Sequence, residues 1–385
     1  MNISIIGSTG FLGQQALDVL RHQRKGFYKV FALACQKNYP LLLKQAEEVS
    51  PRFLVLYSEE AYHLVRQKKL PSGIAIGYGL DGIMEICAHP EVDMVFFLAQ
   101  GTELLAPLLL AIERKKKICL ASKEMVVAFG KFIFQQARKY GTEIIPADSE
   151  ICALHSMLAN HKREAIKRVI ITSSGGPLFR SKRKPTIKNV LGHPVWRMGK
   201  KITVDSATLM NKGFEVIEAV RFFSLPPEKI EVLIHPQVII HSLIEFIDGT
   251  LISQMAPPDM RVFLQYALTY PKKESGNILP LRLETLPPLE LFPVPKKRFP
   301  CLSFAYEAIK RDGSLPTVLV AADEVAVDYF LRGEIDFSKI PKIIGKTLSH
   351  YRNTKDPTLA QLKAIERQAK ELAKGYAEEG CQKRR

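Results

Sequence analysis

Residues 3–13 constrain what this chain folds into more than any others. Ile3-Ser4-Ile5-Ile6 reads as a strand, Gly7-Ser8-Thr9-Gly10-Phe11-Leu12-Gly13 as a glycine turn, and Gln14 to Arg21 as a helix. Glycines at 7, 10 and 13 allow a tight turn, close approach of a pyrophosphate and close helix–strand packing. A second strand, Val30 to Ala34, follows at the spacing of a βαβ unit. NAD-binding chains usually place an acid near the end of that strand to hold the ribose hydroxyls. Here it runs into Cys35-Gln36-Lys37-Asn38, with a cation and no acid. A 2′-phosphate explains Lys37, so the cofactor expected is NADPH rather than NADH.

The same rhythm continues. Phe53–Tyr57, Met94–Leu98, Ile118–Ala121 and Glu143–Pro146 read as strands with amphipathic helical stretches between them, the alternation of a parallel, doubly wound sheet. Such sheets bind ligands at strand ends, where Ala121-Ser122-Lys123-Glu124 sits, although Lys123 and Glu124 are equally suited to starting a helix on its surface. The next strand ends in Pro146-Ala147-Asp148-Ser149-Glu150. In an extended segment Asp148 and Glu150 point to one side, where two carboxylates repel unless a cation or proton lies between them. Hard oxygen ligands without His or Cys suit Mg²⁺ or Mn²⁺. The plainer alternative is an acid pair at a helix start.

Farther on, Val169–Thr172 reads as a strand entering Ser173-Ser174-Gly175-Gly176-Pro177, whose hydroxyls and amides suit a phosphate or an ordinary loop. The stretch from His193 to Ala219, HPVWRMGKKITVDSATLMNKGFEVIEA, holds the only tryptophan, Trp196. In a helix from Asn211 onward, Asn211, Lys212 and Glu215 share a face, while Val216, Ile217, Val220 and Phe223 lie on the other side. By itself that polar face reads as a solvated one with a chance ion pair. A β-rich run follows (Val232–His235, Val238–Phe246, Leu251–Gln254), then a stretch from Gly276 to Pro300 with six prolines, which reads as a surface linker. Beyond it Ser303–Lys310, Thr317–Arg332 and Thr358–Ala377 read as helices, and Lys383-Arg384-Arg385 as a frayed tail.

With 385 residues, one ordinary core is exceeded. The divisions expected are a nucleotide-binding domain over 1–147, a catalytic domain with a lid loop over 148–275, a linker over 276–300 and a helical domain over 301–385. The longest apolar runs, such as Val95 to Ala99, fall far short of a membrane span. Neither a signal peptide nor paired cysteine spacing is visible, which points to the cytoplasm and away from zinc. The net charge of +16 invites a nucleic-acid reading. However, the basic residues are dispersed and not interleaved with aromatics, so phosphorylated metabolites are the easier account and no nucleic-acid or membrane partner is expected.

The stretches GSTGFLG, LASKEMV, PADSE, TSSGGP, HPVWRMGKKITVDSATLMNKGFEVIEA and IHPQVIIHSLIEFIDGT occur in that order. Together they make the chain similar to the 1-deoxy-D-xylulose 5-phosphate reductoisomerases of the non-mevalonate isoprenoid pathway, over its whole length. The resemblance implies an NADPH-dependent, divalent-metal-dependent homodimer that rearranges and reduces a phosphorylated sugar to 2-C-methyl-D-erythritol 4-phosphate. It assigns Gly7, Thr9, Gly10, Phe11 and Leu12 to the cofactor phosphates, and Gln36, Lys37 and Asn38 to the adenosine 2′-phosphate side. Ser122 and Glu124 fall around the nicotinamide ribose, with Met198 and Gly199 at the nicotinamide and Lys123 also reaching the substrate. Asp148, Glu150 and Glu215 are its metal ligands, preferred over the competing Glu218. Ser149 holds substrate hydroxyls, Ser174, His193, Ser206, Asn211 and Lys212 bind substrate, mostly at its phosphate, and Trp196 sits in the lid. Phe11, Gln36, Ser122, Met125, Ile151-Cys152 and Val238 depart from the family's usual residues, which touches the finer cofactor contacts and none of the three acids.

Overall fold

The structure is a computed structural model that describes residues 1–382 except 24, 25, 182, 183 and 197. Lys383–Arg385, expected as a frayed tail, lie outside the described residues. The chain opens with β1 (Asn2–Ile6), α1 (Phe11–His22), β2 (Lys29–Cys35), α2 (Tyr39–Val49), β3 (Phe53–Leu56), α3 (Glu59–Arg66) and β4 (Ala75–Tyr78). The alternation goes on through α4 (Gly79–Ala88), β5 (Met94–Phe97), α5 (Leu105–Glu113), β6 (Lys117–Leu120), α6 (Lys123–Tyr140) and β7 (Ile144–Pro146). Next come α7 (Ser149–Leu158), β8 (Ile166–Ser173), α8 (Ile187–Val190), α9 (Lys200–Thr208) and α10 (Met210–Phe223). After β9 (Ile230–Ile234), β10 (Ile240–Phe246), β11 (Leu251–Met255), α11 (Met260–Thr269) and β12 (Phe292–Pro293), the chain is helical. Its last helices are α12 (Pro300–Arg311), α13 (Leu315–Leu331), α14 (Ile340–His350) and α15 (Leu359–Gln382).

Two compact units result. One comprises Met1–Ser122, Ile133–Cys152 and Asp259–Leu279; the other comprises Lys123–Phe132, Ala153–Pro258 and Pro280–Arg385. The first is built on a seven-stranded sheet of order β4-β3-β2-β1-β5-β6-β7, parallel at every pairing. Its strands are apolar on both faces, as helices on both sides demand: Ile3, Ile5, Leu33, Leu54, Leu56, Met94 and Phe96 cluster on one face with α1 and α11, and Ala32, Ala34, Val55, Val95 and Phe97 are buried on the other. The strand order reverses direction between β1 and β5, and ligands bind at such a switch point. Arg261 on α11 pairs with Asp18 of α1 at 2.8 Å, so a late segment of chain completes this unit. β4 was not legible beforehand, because AIGY is too short and too exposed to show a strand pattern.

The second unit carries a mixed five-stranded sheet of order β11-β10-β8-β9-β12. The proline-rich stretch expected as a linker contributes β12, which pairs Phe292 with Ile234 and Pro293 with Leu233. Proline is tolerated there because β12 is an edge strand. Glu290 also accepts from His235 Nδ1 through its carbonyl at 2.8 Å. The C-terminal helices pack on α13, which is buried along nearly its whole length. Among the described residues, no helix is long and apolar enough to cross a membrane.

Candidate active site

In the first unit the site starts at the turn after β1. A Cβ on Gly13 would lie 2.2 Å from the Gly7 carbonyl oxygen, so only glycine lets α1 begin this close to the strand end. α1 has Gly10 as its N-cap, no side-chain cap and no acid in its first turn. Its first amides and dipole therefore suit a phosphate. At the neighbouring strand end Gln36, Lys37 and Asn38 are exposed. Asn38 is also the cap of α2, its Oδ1 accepting from the Leu41 amide at 3.4 Å. Ser122, at the end of β6, is buried and donates its hydroxyl to the Gly101 carbonyl at 2.8 Å.

The acidic pair sits differently from the extended segment expected. β7 ends at Pro146 and α7 starts at Ser149. Asp148 Oδ1 accepts from the amides of Glu150 and Ile151, each at 3.1 Å, so Asp148 caps the helix and Glu150 lies in its first turn. The side chains are brought together by the cap and not by strand alternation. Ser149 Oγ donates to Glu150 Oε2 at 2.6 Å.

In the second unit α10 is buried almost all round, including Lys212, Glu215 and Glu218. The solvated face expected for Asn211, Lys212 and Glu215 is thus an interior one. Asn211 Nδ2 donates to Glu215 Oε1 at 2.7 Å and Lys123 Nζ to the same oxygen at 2.5 Å, while Lys212 Nζ donates to Oε2. A fully enclosed carboxylate with two ammonium partners is costly to build for stability alone. Asp148, Glu150 and Glu215 each offer a buried oxygen within 4.8 Å of one another. This donor set, hard oxygens with no thiolate or imidazole, fits Mg²⁺ or Mn²⁺. Glu218, the competing acid, lies outside the cluster.

The phosphate-binding candidates lie around α9 and the loop after β8. Leu209 takes the left-handed conformation at φ 59° and separates α9 from α10, a break that costs about 1–2 kcal/mol in a residue with a Cβ. It sets Ser206 and Asn211 on two helices meeting at one corner. Gly176, at φ +69°, lies so close that a Cβ would be 2.4 Å from the Ser206 carbonyl, which packs the Ser174 loop onto that corner. Neither the break nor the contact was legible beforehand, although the doubled glycine after Ser174 was its signal.

His193 Nδ1 accepts from the amides of Val195 at 3.2 Å and Trp196 at 2.9 Å. An acceptor Nδ1 leaves the proton on Nε2, which then donates to Ser174 Oγ at 3.0 Å. Ser174 Oγ also accepts from the Gly176 amide at 3.1 Å, so its own proton is left to point at a ligand. Burial pushes His193 down to about 4, which keeps the ring neutral at pH 7. Trp196 and Met198 are half-buried, and Gly199 caps α9.

Three family models match in succession. The 1-deoxy-D-xylulose 5-phosphate reductoisomerase model covers residues 3–130, its C-terminal domain model residues 144–223, and the DXP reductoisomerase C-terminal domain model residues 255–372. A reductoisomerase of that name from Thermoanaerobacter pseudethanolicus is 41% identical, over 97% of this chain and 99% of its own. The solved enzyme from Zymomonas mobilis in complex with NADPH is 33% identical, with a TM-score of 0.90 over 98% of this chain and 99% of that one. A solved DOX-P reductoisomerase in complex with NADPH, fosmidomycin and magnesium is 30% identical, with a TM-score of 0.90 over 98% of both chains. The chain belongs to the 1-deoxy-D-xylulose 5-phosphate reductoisomerase family.

Proposed function

We propose that this chain converts 1-deoxy-D-xylulose 5-phosphate to 2-C-methyl-D-erythritol 4-phosphate, using NADPH and a divalent cation. The observation that carries the reading is the buried cluster of Asp148, Glu150 and Glu215 with its attendant lysines. On this reading residues 1–147 serve NADPH, 148–275 the metal and substrate, and 276–300 join them to the helices of 301–385.

Asp148, Glu150 and Glu215 hold the cation, which when bound polarises the substrate ketone and lowers the cost of forming an alkoxide. Lys123 and Lys212 balance the charge of Glu215, and Lys123 also reaches the sugar. Ser149, already oriented by Glu150, holds substrate hydroxyls. Ser174, His193, Ser206, Asn211 and Lys212 bind the substrate, mostly at its phosphate, and binding energy at that remote group orients the chemistry. Gly7 and the turn Thr9–Leu12 cradle the cofactor phosphates and Gln36, Lys37 and Asn38 the 2′-phosphate. Ser122, Glu124, Met198 and Gly199 bracket the nicotinamide, which supplies hydride to the rearranged aldehyde. The segment around Trp196 closes over the bound substrate and excludes water.

The enzyme acts in the cytoplasm as a homodimer. The outer edge of β11, with Leu251 and Met255 exposed, is the surface of this chain that suits a second copy. Light scattering that gives a monomer mass would remove the dimer from this reading. For the activity, NADPH oxidation is followed with the deoxyxylulose phosphate, with and without Mg²⁺. Turnover that needs the metal, and that drops by at least ~10²-fold in Glu150→Gln, is the result expected. No turnover with any divalent ion would overturn the proposal.

A further inference from the structure

Lys201 stands in the first turn of α9, two residues after Gly199, at the centre of a buried charge cluster. Its Nζ donates to Asp205 Oδ2 at 2.6 Å and to Asp323 Oδ2 at 2.8 Å. It lies 3.5 Å from Glu124 Oε1 and 5.0 Å from the ring centre of Phe214. Asp323 is fully enclosed on α13, and Asp205 and Glu124 nearly so. One ammonium thus faces three carboxyl groups where water is scarce. Desolvation first, then repulsion from Asp323 on Asp205 and from Glu124 on both, pushes Asp205 and Asp323 above the usual carboxylate range.

Such a cluster is a poor way to gain stability, since apolar residues of the same volume would do as well or better. Its connections give it a different use. Gly199 is tied to the same turn of α9, its carbonyl accepting from the Thr203 amide at 3.1 Å and from Thr203 Oγ1 at 2.8 Å. Glu124 is the neighbour of Lys123, which holds Glu215 at 2.5 Å. Lys201 therefore meets the root of the Trp196 segment and the first turn of α6 at one point. Asp323, from a helix that carries none of the site motifs, holds it there.

We propose that Asp323 is a positioning residue for the reaction, acting through Lys201 to fix Gly199 on one side and the Lys123–Glu215 pair on the other. This inference rests on the reading of those residues as the active site. Asparagine at 323 keeps the anchor, because its Oδ1 can accept from Lys201 where the carboxylate oxygen does. Alanine leaves Lys201 without that anchor.

Asp323→Asn and Asp323→Ala are compared with the unaltered enzyme by kcat and KM with Mg²⁺ and NADPH, and by acrylamide quenching of Trp196. Asp323→Ala should lose ~10- to 100-fold in kcat, the scale of a small misplacement of reacting groups, with KM for NADPH within about threefold. Asp323→Asn should recover kcat to within about threefold. Quenching of Trp196 should rise in Asp323→Ala alone. Equal losses in both variants, or no loss in either, would overturn the inference. Should the alanine chain not fold, Asp323→Ser, which lacks the reach to Lys201, takes its place with the same expectations. If the unaltered enzyme does not turn over the sugar, the functional reading fails, and the quenching comparison still decides whether Asp323 holds the Trp196 segment.

Discussion

Lys37 is exposed at the end of β2, where Cys35 is already buried and no acid follows. A charge-assisted contact with a 2′-phosphate predicts that Lys37→Ala weakens NADPH by about 1–3 kcal/mol and barely alters NADH. Titrating both cofactors by fluorescence checks this, and equal losses would show that Lys37 acts structurally. His193 supplies a prediction of a different kind. Its folded pKa, about 4, lies below the ordinary 6.5. Between those values the unfolded chain takes up a proton that the folded ring refuses. The stability this ring contributes is therefore complete above pH 6.5 and is lost as pH falls toward 4. Denaturant unfolding between pH 7 and 4.5 should show a shallower pH slope in His193→Gln, by up to one proton per molecule. An unchanged slope would mean that the ring is not neutral in the fold. These roles are readable residue by residue only in part. The Asp148–Glu150 pair shows why: its spacing invites a strand reading, but the Asp148 cap turns it into a helix start.

At the scale of elements, the segment from His193 to Gly199 is held at its base by the His193 bonds to Val195 and Trp196 and by the Gly199 cap of α9. Trp196 is half-buried, unlike a core tryptophan. Because the chain has one tryptophan, its emission reports this segment alone. Adding fosmidomycin to the enzyme with NADPH and Mg²⁺ should change that emission and reduce acrylamide quenching, as expected of a lid that excludes water. Trp196→Ala should weaken any binding of fosmidomycin and leave the unfolding midpoint nearly unchanged. A stability loss of ~3–5 kcal/mol, the cost of a truncated core tryptophan, would sink the lid assignment.

For the whole molecule, a ligand that binds only the folded state stabilises all of it. Mg²⁺ at about a hundred times its Kd should add about 2.7 kcal/mol. The increment should disappear with chelator and in Glu150→Gln, while the increment from NADPH persists because the glycine turn is a separate site. Differential scanning fluorimetry distinguishes these, and an equal Mg²⁺ shift in Glu150→Gln would place the cation elsewhere. Local pattern was enough for the parallel α/β start, since strand–glycine–helix chemistry acts within a dozen residues and recurs along the chain. It was enough for the three acids and the Asn211–Lys212–Glu215 face only with the family resemblance, because short polar motifs occur by chance. Tertiary structure alone decided that this face is interior, that Gly176 meets Ser206, that α11 returns to α1, and that Asp323 reaches Lys201. Each of those contacts joins residues far apart in the chain, and burial and desolvation belong to what surrounds a residue, which no local pattern of sequence contains.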